Sequence, residues 1–170
     1  SSHRLIEIDD SSSSGGSGGY SVTGNTFWIN SSGTGVTGDG NSCVYLWLDN
    51  LTRGANVSNN TFWVRSGHTG LRNTGAGAIE ITNGDFVVCN GNTINNWAGN
   101  GVANRASIYI NSVTQVVCNS NNVGYSGVAG ENSIRVTNCA SGNVSANESN
   151  GGGLPDTTGS TVTTTGSNAS

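Results

Sequence analysis

Five side chains follow one another at the same place in a recurring strand: Glu7, Trp47, Glu80, Tyr109 and Arg135. A second set, Asp9, Asp49, Thr82, Asn111 and Thr137, lies two residues further on. Carboxylates, aromatic rings and a guanidinium on one flat face suit a carbohydrate. Rings stack on apolar C–H faces, and charged groups bond to hydroxyls. Glycoside hydrolysis needs two carboxyl groups, about 5–5.5 Å apart for retention and about 6.5–9.5 Å for inversion. With adjacent strands about 4.8 Å apart, Asp9 and Asp49 are separated by about 4.8 Å, Asp49 and Glu80 by about 8 Å, and Glu7 and Glu80 by about 9.6 Å. Asp49 and Glu80 are therefore the candidate acid/base pair, with Glu7, Trp47, Tyr109 and Arg135 as candidate sugar ligands. The alternative for every one of them is a solvated residue on an outer β face.

These positions depend on a repeat. The strand motif reads Ile6-Glu7-Ile8-Asp9, Leu46-Trp47-Leu48-Asp49, Ile79-Glu80-Ile81-Thr82, Ile108-Tyr109-Ile110-Asn111 and Ile134-Arg135-Val136-Thr137, in steps of 40, 33, 29 and 26 residues. Alternation turns the aliphatic residues inward and their neighbours outward. A second motif follows each first one: Val22-Thr23-Gly24-Asn25-Thr26-Phe27, Val57-Ser58-Asn59-Asn60-Thr61-Phe62, Cys89-Asn90-Gly91-Asn92-Thr93-Ile94 and Cys118-Asn119-Ser120-Asn121-Asn122-Val123, ending weakly in Ala140-Ser141-Gly142-Asn143-Val144. Asn25, Asn60, Asn92, Asn121 and Asn143 are accordingly expected to stack, amide on amide, at a tight turn that Asn tolerates in the left-handed conformation. Two motifs in constant order predict an all-β chain, a right-handed parallel β-helix of about five coils, each repeat burying a narrow column against the next. Residues 1–150 form this unit. Residues 151–170 are a Gly/Thr/Ser-rich tail or a single strand, and the Gly/Ser runs at 11–19 and 33–40 are loops.

Composition agrees. Only 9% of the 170 residues are charged and 33% hydrophobic, with 27 Gly, a single Pro and no Lys. Helical periodicity is absent, while turn residues and short β-branched runs abound. A net charge of −4 without a basic stripe excludes nucleic acid as a partner. No apolar stretch reaches membrane-spanning length, so insertion into a bilayer is not expected. The chain opens without Met, almost inside a strand, and reads as a fragment or processed product.

Cys89 and Cys118 occupy the inward place of Val22 and Val57 and read as small apolar core residues rather than a disulfide, because adjacent parallel strands offer poor bridge geometry. Cys139 is one residue out of register. Trp28 and Trp63, each following the motif phenylalanine, form an outward pair on another face, either a sugar platform or a subunit contact. His3 and His68 lack a partner at ligand spacing, so neither a metal nor another cofactor is expected. Calcium at Asp9-Asp10 beside Asp49 is a lesser reading.

The V-x-G-N-T-F element after an I-x-I-x strand resembles the repeat of pectate-lyase-like parallel β-helix proteins, over residues 4–148. Within that group, the Gly/Ser/Thr/Asn-rich, lysine-free composition is most similar to a bacteriophage tailspike or tail-fibre segment. The resemblance implies a virion-tail, extracellular protein, a homotrimer, and a bacterial surface polysaccharide as ligand, bound and in some members hydrolysed. Two other readings stand beside it: a non-catalytic structural or adhesive fibre segment, and a fragment of a secreted polysaccharide lyase. The absence of lysine, a frequent helper in lyases of this fold, argues against the last.

Overall fold

The computed structural model describes residues 3–10, 19–29, 43–64, 78–97, 106–125, 133–150 and 155–165. The loop expected at 11–19, apart from Gly19, the loop expected at 33–40, and His68 lie outside the described residues. In chain order the first repeat supplies β1 (His3–Asp9), β2 (Tyr20–Thr23) and β3 (Thr26–Ile29), and the second β4 (Cys43–Leu51), β5 (Ala55–Ser58) and β6 (Thr61–Val64). The third supplies β7 (Ile79–Asn90) and β8 (Thr93–Trp97), and the fourth β9 (Ile108–Asn119) and β10 (Asn122–Tyr125). The fifth supplies β11 (Ile134–Thr137), β12 (Ser141–Ser145) and β13 (Glu148–Asn150), and β14 (Thr163–Thr165) follows.

Every strand pairing among these elements is parallel, and each joins equivalent strands of successive repeats. The larger sheet has two panels. One runs through β1, β4, the first halves of β7 and β9, and β11; the other through β2, β5, the second halves of β7 and β9, β12 and β14. The smaller sheet is ordered β13-β10-β8-β6-β3.

Side-chain alternation does what the sequence predicts. Ile6–Leu46–Ile79–Ile108–Ile134 and Ile8–Leu48–Ile81–Ile110–Val136 are in register on the first panel. All but the terminal Ile6 and Ile8 are fully buried. Val22, Val57 and Cys89 line the second panel, where Cys118 pairs with Val144. Phe27, Phe62, Ile94 and Val123 line the smaller sheet. Leu46, Val57 and Phe62, one from each surface, belong to a single buried cluster, so the three surfaces share one core.

Two corners shape each repeat. Between the first and second panels the backbone turns left-handed at Asn50, Asn83, Ser112 and Asn138, with φ between 52° and 55°. Before the smaller sheet it does so at Gly24, Asn59, Gly91, Ser120 and Ala146. The left-handed residue therefore immediately precedes each ladder asparagine, rather than being that asparagine. The ladder side chains point inward: the Asn60, Asn92 and Asn121 side-chain oxygens each accept from the preceding asparagine's backbone and side-chain nitrogens at 3.0–3.1 Å.

The expected fifth ladder member, Asn143, is incorrect. Asn147 takes that place, accepting from Asn121 N and Nδ2 at 3.0 Å, while Asn143 pairs with Val117 in the second panel. Packing decides the register. Val144 must stand beside Cys118 in the core, and the left-handed corner then falls at Ala146. Cys89, Cys118 and Cys139 are buried free thiols. Burial and a hydrogen bond with Cys118 hold the Cys89 thiol well above the usual range, the bond being the larger cause.

Candidate functional site

The first panel sets its outward residues in a single ladder. Glu7 pairs with Trp47, Trp47 with Glu80, Glu80 with Tyr109, and Tyr109 with Arg135. Glu7 is exposed and the other four are half-buried. All six candidate residues thus share one panel: Asp49 lies on the strand next to Glu80's, two residues beyond Glu80's partner Trp47.

The second row, nearer the corner, is bound up in its own structure. Asp49 Oδ1 accepts from Thr82 Oγ1 at 2.6 Å, Asn83 Nδ2 at 2.9 Å and Asn50 N at 2.9 Å. Asn111 Oδ1 accepts likewise from Thr137 Oγ1 at 3.0 Å and Asn138 Nδ2 at 2.8 Å, and Asp9 Oδ1 from Asn50 Nδ2 at 3.1 Å. These bonds tie the corner residues Asn50, Asn83 and Asn138 to the row of the preceding repeat. Asp49 acts as a strut of the corner, with one carboxylate oxygen committed three times over.

Past that row the bend opens an outer groove of about 560 Å³, lined by Asp10, Asn50, Thr52, Asn83, Asp85 and Thr114 among others. Asp10 is buried and accepts from Thr52 Oγ1 at 2.8 Å. Among the described residues no group of three or more His, Cys, Asp or Glu could hold a metal ion, and no helix is long and apolar enough to cross a membrane.

The far end of the ladder holds a residue that sequence reasoning missed. Asp156 bridges to Arg135 in parallel and sets Oδ2 3.2 Å from Arg135 Nε. Backbone bonds fasten it: Asp156 N donates to Ile134 O, and Val136 N to Asp156 O. Burial alone would raise the Asp156 carboxyl. Hydrogen bonds from Thr158 Oγ1 and N, with the Arg135 charge, outweigh it and hold the group below its ordinary value. A depressed carboxyl stabilises the fold above its unfolded value, about 3.9, and loses that contribution as pH falls through the folded one. Asp156→Asn is therefore expected to lower stability modestly at neutral pH, the pair being partly solvated, and to flatten the acid limb below about pH 4 by the same amount; urea midpoints across that range measure it.

The missed corner did leave a signal. Asp49-Asn50, Thr82-Asn83, Asn111-Ser112 and Thr137-Asn138 follow the strand motif at the same offset each time. The segment carrying Asp156 has no such echo. Compared with family models, curated proteins and solved structures, the chain matches none.

Proposed function

We propose that the chain is a right-handed parallel β-helix of about five coils that binds a bacterial surface polysaccharide along its first panel, as a tailspike-like fibre segment. The in-register ladder of Glu7, Trp47, Glu80, Tyr109 and Arg135 carries the reading. It alternates carboxylates with rings at one-strand spacing, a periodic surface suited to a periodic ligand. The β-helix reading is supported by the parallel pairing of equivalent strands and the one core shared by three strand surfaces. A homotrimer on a virion tail is the assembly that the sequence resemblance implies.

Binding rather than hydrolysis is the reading the geometry favours, because Asp49 already bonds Thr82, Asn83 and Asn50. In titrations of purified O-antigen and capsular polysaccharides, wild type is expected to bind one of them. Trp47→Ala is expected to weaken that binding roughly tenfold, and Glu80→Gln by a similar factor through loss of a charge-assisted bond. Absence of binding by wild type, or undiminished binding by Trp47→Ala, would remove the proposal. New reducing ends released by wild type and not by Glu80→Gln would restore hydrolysis, with Asp49 and Glu80 as its pair.

A further inference from the structure

The smaller sheet carries a second surface that the ladder on the first panel does not use. Trp28 on β3 pairs with Trp63 on β6. Their ring centroids are 6.3 Å apart and the planes open by 28°. They are exposed by 69% and 44%. On the inner side of the same two strands, Phe27 and Phe62 stack at 4.5 Å and 8°, which pins the backbone bearing the indoles. Thr26 and Thr61 stand beside the rings on their own strands, and Asn95 follows Trp63 in the outward row. No charged side chain lies within Thr26–Trp28, Thr61–Trp63 or Thr93–Asn95.

We propose that Trp28 and Trp63 form a saccharide-binding platform whose ligand is a neutral glycan. An indole face stacks on the apolar C–H face of a sugar ring, and the flanking hydroxyls and amide bond its hydroxyl groups. Among the described residues beside the two rings, Thr26, Thr61 and Asn95 are neutral and give no counter-charge to an acidic sugar. β3 ends the sheet and Trp28 is the more exposed ring, so Trp28 makes the main contact and Trp63 supports it. The platform lies on a different sheet from Glu80, so this inference and the preceding one can fail separately.

The test uses the full chain with ¹⁵N-labelled tryptophan, titrated with cellohexaose, laminarihexaose and mannohexaose. The four indole resonances, assigned by single substitution, report each site apart. Saturable shifts at Trp28 and Trp63 are expected with at least one probe. Trp28→Ala should weaken that probe roughly tenfold, and Trp28→Phe should retain part of the affinity. Shifts confined to Trp47, or none at either platform ring with all three probes, would overturn the proposal. So would a Trp28→Ala/Trp63→Ala chain that changes from oligomer to monomer in sedimentation while wild type ignores the sugars, which would assign the indoles to a subunit contact.

Discussion

Asn92→Ala is expected to destabilise the chain by about 4 kcal/mol, near the top of the range for single substitutions. The side chain is fully buried. Its oxygen accepts from Asn60 N at 3.1 Å and Asn60 Nδ2 at 3.0 Å, while its Nδ2 donates to Val57 O at 2.9 Å and Asn121 Oδ1 at 3.0 Å. Truncation deprives polar groups in the repeats on both sides of a partner at once, where water cannot replace it. Each such loss costs about 1–3 kcal/mol, and a small cavity adds to the total. Asn92→Asp should be nearly as damaging, because an ionised carboxylate cannot donate to Val57 or Asn121. Asn25→Ala, at the exposed end of the same ladder, should cost about 1 kcal/mol or less. Urea midpoints at constant slope measure all three. Equal effects at Asn25 and Asn92 would show that the buried ladder is not what makes position 92 sensitive.

Gly54→Ala is expected to cost at least about 3 kcal/mol, and Gly24→Ala only about 1 kcal/mol, although both glycines are left-handed. Gly54 has φ 86°, and a Cβ there would sit 1.8 Å from the Phe86 carbonyl oxygen, so backbone must move. At Gly24, φ 68°, a Cβ meets nothing within 4 Å, leaving only the conformational term. The origin of the difference is visible in the chain. Three residues lie between Leu51 and Ala55, where two lie between their partners Gly84 and Val87. Glycine lets the second repeat absorb that extra residue against the third. Thermal midpoints of the two variants should differ by several degrees; equal midpoints would mean that the close approach at Phe86 relaxes without cost.

The strand columns were legible because alternation and a short motif repeat together. Ile79, Ile108 and Ile134 are each followed by an outward neighbour and then a second inward aliphatic, and one register alone buries them all. The outward ladder was legible by the same token, and so was the Trp28–Trp63 pair, set beside the motif phenylalanine. The fifth ladder asparagine was misread because Gly142-Asn143 imitates Gly24-Asn25 and Gly91-Asn92. Step length held the corrective: Asn121 to Asn147 is 26 residues, equal to Ile108 to Ile134, whereas Asn143 breaks that equality. Gly142 serves another purpose, since a Cβ there would lie 2.0 Å from the Val116 carbonyl oxygen.

The chemistry of the site was less legible. A carboxylate's candidacy follows from its row, but its hydrogen-bond partners come from side chains a repeat away. Asp49 became a strut only once Thr82 and Asn83 were seen to converge on one of its oxygens. Arg135 likewise appeared as a free ligand for sugar until Asp156, 21 residues later, was found across from it. That pairing weakens Arg135 as an attraction for acidic sugars.

The stacking of repeats is tested most directly by a distance across all five. Ser21 and Asn143 face outward on the second panel, linked through Asn56, Val88 and Val117 by four successive pairings. Spin labels at Ser21→Cys and Asn143→Cys should give a narrow electron–electron distance distribution centred near four strand spacings, about 19 Å before label length is added. A broad distribution, or a narrow one at a clearly longer separation, would contradict the in-register stack and the ladder of Glu7, Trp47, Glu80, Tyr109 and Arg135 with it.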